Sequence, residues 1–207
     1  MQTPPIIGRG QGWVAIDKPA GLLSVPGRQK AHKDCALTRL EQQLGQDLHV
    51  VHRLDMDTSG ILLFALAPDT LAQLQRQFSQ RTVSKLYQAQ VLGKPQLDQG
   101  KIDLPLICDW PNRPLQKVDY VHGKPSQTHW QVIKRHGATT SVTLTPLTGR
   151  SHQLRVHMKQ LGHPILGDRF YNPNCFAERL HLHACVLEFT EPETGQLIEL
   201  SSSPSFA

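Results

Sequence analysis

Apolar and polar positions along this chain switch between two periods, and the switches outline its elements. Residues 13–17 form a short apolar run closed by Lys18-Pro19-Ala20-Gly21, which predicts a strand followed by a turn. Leu37, Leu40 and Leu44 fall at i, i+3 and i+7 and predict an amphipathic helix over 34–44. Residues 60–65 are continuously apolar, the pattern of a strand buried on both faces. Pro68-Asp69 then opens a helix whose apolar stripe is Leu71, Leu74 and Phe78. Further strands are expected at 85–92, 128–134, 140–147 and 185–190. Leu154, Met158 and Leu161 make another helical stripe, stopped by Gly162 with Pro164 beyond it. The stretch 93–127, rich in Pro and Gly, reads as a loop-rich insert. Strands outnumber helices and do not alternate with them strictly, so the expected class is α+β around a mixed sheet, not a doubly wound parallel one.

Composition narrows the function classes. The chain has 207 residues, enough for one domain or one domain split by a cleft into two lobes. The longest unbroken apolar run, 61–67, is far shorter than the roughly 18 residues of a membrane span, and residues 1–5 carry no secretory pattern. Cys35, Cys108, Cys175 and Cys185 are widely spaced with no C-x-x-C, which excludes a zinc ribbon and suits free thiols in a reducing compartment. The net charge is +5, unevenly spread: residues 1–175 carry 21 basic and 12 acidic groups, residues 176–207 one basic and five acidic. A basic body attracts a polyanion such as nucleic acid, although a solvated surface of mixed sign has the same composition.

Three clusters carry candidate chemistry. Residues 51–60, Val-His-Arg-Leu-Asp-Met-Asp-Thr-Ser-Gly, sit at the mouth of the apolar strand; they either line a site or form a polar turn capped by Asp55 or Asp57. Residues 148–157, Thr-Gly-Arg-Ser-His-Gln-Leu-Arg-Val-His, share a helix with a buried stripe. Arg150, His152, Arg155 and His157 cannot all point into the core, and a charge held near a core needs a partner; Arg155 and Asp55 could supply each other. Tyr87 lies on the strand 85–92, where a tyrosine is usually a core residue with its hydroxyl satisfied. The histidines lack helical metal spacing and an adjacent Glu, and Arg53 beside Asp55-Met56-Asp57 argues against a dication, so no metal site is expected.

HRLDMDTSG at 52–60, KLYQAQV at 85–91 and LTGRSHQLRVHMKQLGHPILGDRFY at 147–171 resemble, in this order, the signature blocks of the RluA family of pseudouridine synthases, and WVAIDKPAGLLSVPG at 13–27 is similar to the family's first motif. The insert DLPLICDWPNRPLQKV at 103–118 and SVPGRQKAHKD at 24–34 resemble the branch that acts on both a 23S rRNA hairpin and the anticodon stem-loop of tRNA. The resemblance implies the pseudouridine synthase fold: α+β, a mixed, mainly antiparallel sheet with flanking helices and a central catalytic cleft. It also implies a tail at 1–12 and a single catalytic domain over 13–207, without an N-terminal S4-type RNA-binding domain. The implied reaction breaks the N1–C1′ bond of a uridine, turns the uracil and rejoins it through C5. Asp55 matches the family's catalytic aspartate, Tyr87 its active-site tyrosine, Arg155 the arginine that pairs with that aspartate, and Arg53 the arginine that fills the gap left by the displaced base. His52, Thr58, Arg150, His152 and Leu154 are the further positions expected to contact RNA. The implied partners are 23S rRNA and tRNA, with no membrane and no obligate protein partner, as a cytoplasmic monomer. All uracil atoms remain in the product, so no cofactor is expected.

The chemistry of the residues agrees with these roles. A carboxylate in a dry pocket is pushed above its usual pKa of ~3.9, and a guanidinium at contact distance opposes that shift. Asp55 could attack C1′ or the uracil ring as a nucleophile, or remove the C2′ proton as a base. Tyr87 offers a stacking face worth about 1–3 kcal/mol per base. The target uridine must leave its stack, which costs a few kcal/mol. An N-glycosylase, a non-catalytic RNA-binding module and a D-x-D metal enzyme are the rival readings.

Overall fold

Burial is complete along Ser59–Ala65, the strand that contains the 60–65 run, as the unbroken apolar pattern requires. The computed structural model of the chain describes residues 3–27, 33–174 and 177–206; Cys175 and residues 28–32 of the 24–34 block lie outside them. In chain order the elements are β1 (Ile6–Gly10), β2 (Trp13–Lys18), α1 (Ala36–Leu44), β3 (His49–Val50), β4 (Ser59–Ala65), α2 (Pro68–Gln80), β5 (Ser84–Leu92), β6 (Gln99–Asp103), β7 (Leu106–Cys108), β8 (Gln116–Val118), β9 (Gln127–His136), β10 (Thr139–Pro146), α3 (Gln153–Gln160), β11 (Leu182–Thr190) and β12 (Leu197–Ser201). The class is α+β, as expected. Two compact units divide the chain: Met1–Lys85 with His183–Pro204, and Leu86–Leu182 with Ser205–Ala207.

In the first unit β4 is flanked by β2 along one edge, antiparallel, and by β11 in parallel register at His183 and Ala184; β3 pairs with its far end. β1 pairs with β2 and β12 with β11, both antiparallel. Residues 6–10, expected within a tail, are thus a sheet strand. Strand periodicity sends Ile61, Leu63 and Ala65 to one face, where they pack with Trp13, Ala15, Leu74, Val83, Leu187, Phe189 and Leu200. Leu62 and Phe64 are equally buried on the opposite face. Each such side chain contributes about 1.5–3 kcal/mol of transfer free energy, so β4 is the fixed reference for what precedes it. α2 starts at Pro68 with Asp69 in its first turn, a residue pair suited to a helix N-terminus.

In the second unit the strand order is β5-β10-β9-β6, antiparallel throughout. Its core gathers Ala89, Val91, Ile102, Trp130, Val142 and Leu144 from the sheet, and Leu154 and Met158 from α3. The expected insert over 93–127 is more ordered than its Pro and Gly content suggested. It contributes β6 to the sheet edge and a separate β7–β8 hairpin. Leu106 of that hairpin is buried with Val156 and Tyr171, which gives it an apolar anchor.

Gly60 sits at the start of β4 with φ +110, a conformation that L side chains avoid, and a Cβ there would collide with the backbone of Ala184 on β11. Gly195 has a similar sign of φ, at +71, but open space around it. Gly60→Ala is therefore expected to destabilise the protein by about 2–4 kcal/mol in urea unfolding, strain and overlap combined, against about 1 kcal/mol for Gly195→Ala. Equal losses would show that the close approach of β11 does not matter.

Candidate active site

The segment 51–58 leads into β4, and its main chain is held on both sides of Asp55. Leu54 donates its N–H to Ser24 Oγ at 3.1 Å, and Ser24 Oγ donates to the Leu54 carbonyl at 2.8 Å. Met56 O accepts from Lys18 Nζ at 3.0 Å and from the Gly21 N–H at 2.9 Å. Lys18, 0% exposed, also donates to Pro19 O at 2.9 Å and Leu22 O at 2.8 Å, so all three of its N–H groups meet carbonyls. Asp55 O accepts the Thr58 N–H at 3.1 Å, closing the turn. Asp55 is half-buried and Arg53 is exposed.

Two of the expected RNA-contact residues in this segment face the protein. Thr58 is buried. His52 accepts the Leu63 N–H on Nε2 at 3.1 Å and stacks on Phe78 with centroids 4.9 Å apart. Burial, helped by the nearby Lys85 ammonium, pushes the His52 pKa down to about 3, so the ring is neutral and offers no cation to a phosphate. His52 fastens the segment to β4, a different engagement from the expected RNA contact. Below it, Ser59 Oγ meets His183 Nδ1 at 2.8 Å, His183 Nε2 meets Ser202 Oγ at 3.0 Å, and Ser202 Oγ donates to Asp17 at 2.9 Å. This chain of bonds ties β4, β11 and β2 through side chains.

The other predicted residues lie in the second unit. Tyr87 is on β5 opposite Leu144 and packs at the margin of the core. Leu154, expected to touch RNA, is buried within that core, because it shares a helical stripe with Met158. Arg150 is exposed. His152 precedes α3 with φ +53, a left-handed conformation uncommon for a non-glycine residue. Its Nδ1 lies 2.7 Å from Tyr171 Oη and its ring stacks on Phe170.

Arg155 is buried, although an arginine at such a position is more often on the surface, and it is paired with Asp168. Nε donates to Oδ2 at 2.8 Å and Nη2 to Oδ1 at 2.7 Å, with side-chain exposures of 2% and 0%. The guanidinium also lies over the rings of Phe170 and Tyr171, at 5.1 and 5.3 Å. Removing one partner of a buried pair of this kind costs about 3–5 kcal/mol. Gln153 and His157 fix the same helix to β9. Gln153 Nε2 donates to Gln127 O and Thr128 Oγ1, and His157 Nδ1 meets Thr128 Oγ1 at 2.8 Å. Burial lowers the His157 pKa, so it too is a neutral packing group.

Asp168, Lys18 and Ser24 were not among the expected site residues. Asp168 had a signal, a lone acidic residue in Leu-Gly-Asp-Arg-Phe-Tyr; Lys18 directly follows an apolar run. Among the described residues, no three His, Cys, Asp or Glu side chains gather as a metal-binding group, and no helix is long and apolar enough to cross a membrane. Cys35 and Cys108 are free thiols, and Cys185 Sγ donates to His183 O at 3.5 Å.

Comparison with known proteins gives this geometry a context. A model of the family described as RNA pseudouridylate synthase matches residues 12–160. The chain is 54% identical over 195 residues to the dual-specificity RNA pseudouridine synthase RluA of Vibrio vulnificus, covering 90% of this chain and 78% of that protein. It is 48% identical over 214 residues to the protein of the same name from Pasteurella multocida, covering 99% and 97%. The solved structure of human RNA Pseudouridylate Synthase Domain Containing 1 superposes with a TM-score of 0.82 at 26% identity, over 99% of this chain and 84% of that one.

The depressed His52 pKa fixes a sign. Between an ordinary histidine value near 6.5 and about 3, the unfolded chain binds a proton on this ring and the folded protein does not. Stability contributed by neutral His52 is therefore complete above pH ~6.5 and falls as the pH drops, by at most about 1.4 kcal/mol per pH unit. Urea unfolding from pH 7.5 to 4 is expected to show a shallower loss for His52→Gln than for the parent; parallel curves would remove His52 from the neutral, packed role.

Proposed function

This chain belongs to the RNA pseudouridylate synthase family, and from that premise we propose which residues carry its reaction and which RNAs it takes. The enzyme is an isomerase that converts uridine in RNA to pseudouridine. The N1–C1′ bond breaks and a C5–C1′ bond forms; C5 loses its hydrogen and N1 gains one, so nothing is oxidised or reduced.

Asp55 is the reacting carboxylate. The observation that supports it is the clamped main chain: Leu54 is bonded to Ser24, and Met56 to Lys18 and Gly21, so residue 55 is positioned before substrate arrives. Such preorganisation lets the group act without a reorganisation cost at the moment of reaction. Tyr87 provides the aromatic face for the uracil, and Arg155 the guanidinium that favours an ionised carboxylate. Arg53, exposed and two residues from Asp55, fills the space that the flipped base vacates. Arg150 and His152 contact the RNA backbone. The substrates are a 23S rRNA hairpin and a tRNA anticodon stem-loop: the bacterial relatives are named dual-specificity RNA pseudouridine synthases, and the resemblance of the 103–118 and 24–34 blocks supplies the two RNA classes. The enzyme works as a monomer in the cytoplasm, where both RNAs are found, and the basic surface supplies affinity without reading sequence.

Stem-loop RNAs of both classes carrying C5-tritiated uridine test this reading. The parent enzyme is expected to release tritium to water from both. Asp55→Asn is expected to lower kcat by about 1,000-fold while RNA binding persists. Turnover by Asp55→Asn at the parental rate would overturn the assignment, and release of free uracil would indicate a glycosylase. Binding of either RNA is expected to weaken by about 10–100-fold between 50 and 200 mM salt, the mark of several phosphate contacts, and a flat profile would refute the electrostatic part.

A further inference from the structure

The Arg155–Asp168 pair does more than neutralise a buried charge. An arginine has five N–H groups in one plane. Asp168 takes Nε and one hydrogen of Nη2, both on one edge. The Phe170 and Tyr171 rings lie against the guanidinium at 5.1 and 5.3 Å. Together these contacts fix the plane of the group and its rotation within that plane. The Nη1 edge then points away from Asp168 by the planarity of guanidinium alone.

Asp168 is itself held. Oδ1 accepts the N–H groups of Phe170 at 3.1 Å and Tyr171 at 3.2 Å in addition to Arg155. Its carbonyl accepts the Asn172 N–H at 2.7 Å. The same carboxylate thus folds the 168–172 turn and sets the arginine. Tyr171 carries the constraint outward: its Oη accepts the Gln116 N–H from β8 at 2.8 Å and meets His152 Nδ1.

We propose that Asp168 is a positioning residue for the uridine isomerisation: it holds the Nε/Nη2 edge of Arg155 so that the Nη1 edge is presented in one orientation. The proposal rests on the assignment of Arg155 to the reaction. Because the pair is neutral as a whole, Arg155 acts as an aimed donor and not as an extra net charge.

Two substitutions separate aim from charge. In Asp168→Asn the amide oxygen is kept at the Oδ1 position by three N–H donors, so the amide NH2 faces Arg155 Nε–H, donor against donor. Asp168→Glu keeps the charge but lengthens the arm by one methylene and spoils the paired geometry. The full-length variants, with Arg155→Lys, are assayed on stem-loop RNA below their unfolding temperatures, and the arginine Nε–H region is recorded by NMR. Arg155→Lys identifies the Arg155 signal by its disappearance. Asp168→Asn and Asp168→Glu are expected to lower kcat by about 10–100-fold and about tenfold, to leave KM within about threefold, and to shift the Arg155 signal.

Parental kcat in Asp168→Glu with a shifted Arg155 signal would overturn the proposal, as would a rise in KM at unchanged kcat. If Asp168→Asn does not fold, Asp168→Glu decides alone. Full activity of Arg155→Lys would instead remove Arg155 from the reaction and the proposal with it. An inactive Arg155→Lys beside fully active Asp168 variants would leave the functional assignment standing and refute only the positioning role.

Discussion

The reaction proposed for Asp55 needs a still main chain, and one buried ammonium, that of Lys18, holds this segment. An unpaired cation with the burial of Lys18 would be prohibitively costly. The ammonium donates to the carbonyls of Pro19, Leu22 and Met56, so its burial is coupled to the placement of both the 19–22 turn and the Asp55 segment. Removing the ammonium would also strand the Pro19 and Leu22 carbonyls, at about 1–3 kcal/mol for each that finds no other partner, while Met56 O keeps the Gly21 N–H. The clasp is therefore cooperative: one side chain makes the correct placement of two loops a condition of its own burial. Ser24 adds a second tie to Leu54 from the neighbouring strand-to-helix connection.

Much of this was legible in the chain because it follows from pattern alone. The 60–65 run has the pattern of a strand buried on both faces and is one, and Gly162 with Pro164 stopped α3 where expected. β1 escaped notice because Ile-Ile-Gly-Arg-Gly does not alternate, and two of its five residues are glycines. β7 and β8 are three residues each, too short for any period to show, and they are held by Leu106 against Val156 and Tyr171. Pro and Gly in 93–127 signalled turns correctly but said nothing of the strands between them.

The site was legible to a different depth. Arg155 was recognised as a charge that needs a partner, yet Asp168, 13 residues further along the chain, was passed over in favour of Asp55. The residue is a turn former, and its carboxylate serves the arginine at the same time. His52 and Leu154 show the converse case. Both stand inside blocks dense with chemistry, and both are occupied by packing, His52 on Phe78 and Leu63, Leu154 in the core of the second unit. A motif marks a segment; which of its side chains face the substrate depends on walls that the segment does not contain.

α3 makes that dependence explicit. Only eight residues long, it meets a different wall at almost every position. Gln153 and His157, four apart, face Thr128 on β9. Leu154 and Met158, again four apart, enter the core beside β5 and β10. Val156 faces Leu106 and Tyr171, and Arg155 faces Asp168. With a 100° advance per residue, no rotation of the helix could preserve one of these contacts and release another. The left-handed turn at His152, a local strain of about 1–3 kcal/mol, is sustained by this enclosure, since the helix behind it has no freedom to relax. The polar contacts are satisfied within the protein, where a partly satisfied network would be worse than an apolar one. An eight-residue helix isolated in water would not hold its shape. Enclosed on every side, it becomes a rigid mount for a single guanidinium, and that rigidity, more than the charge, is what the burial of so many polar groups secures.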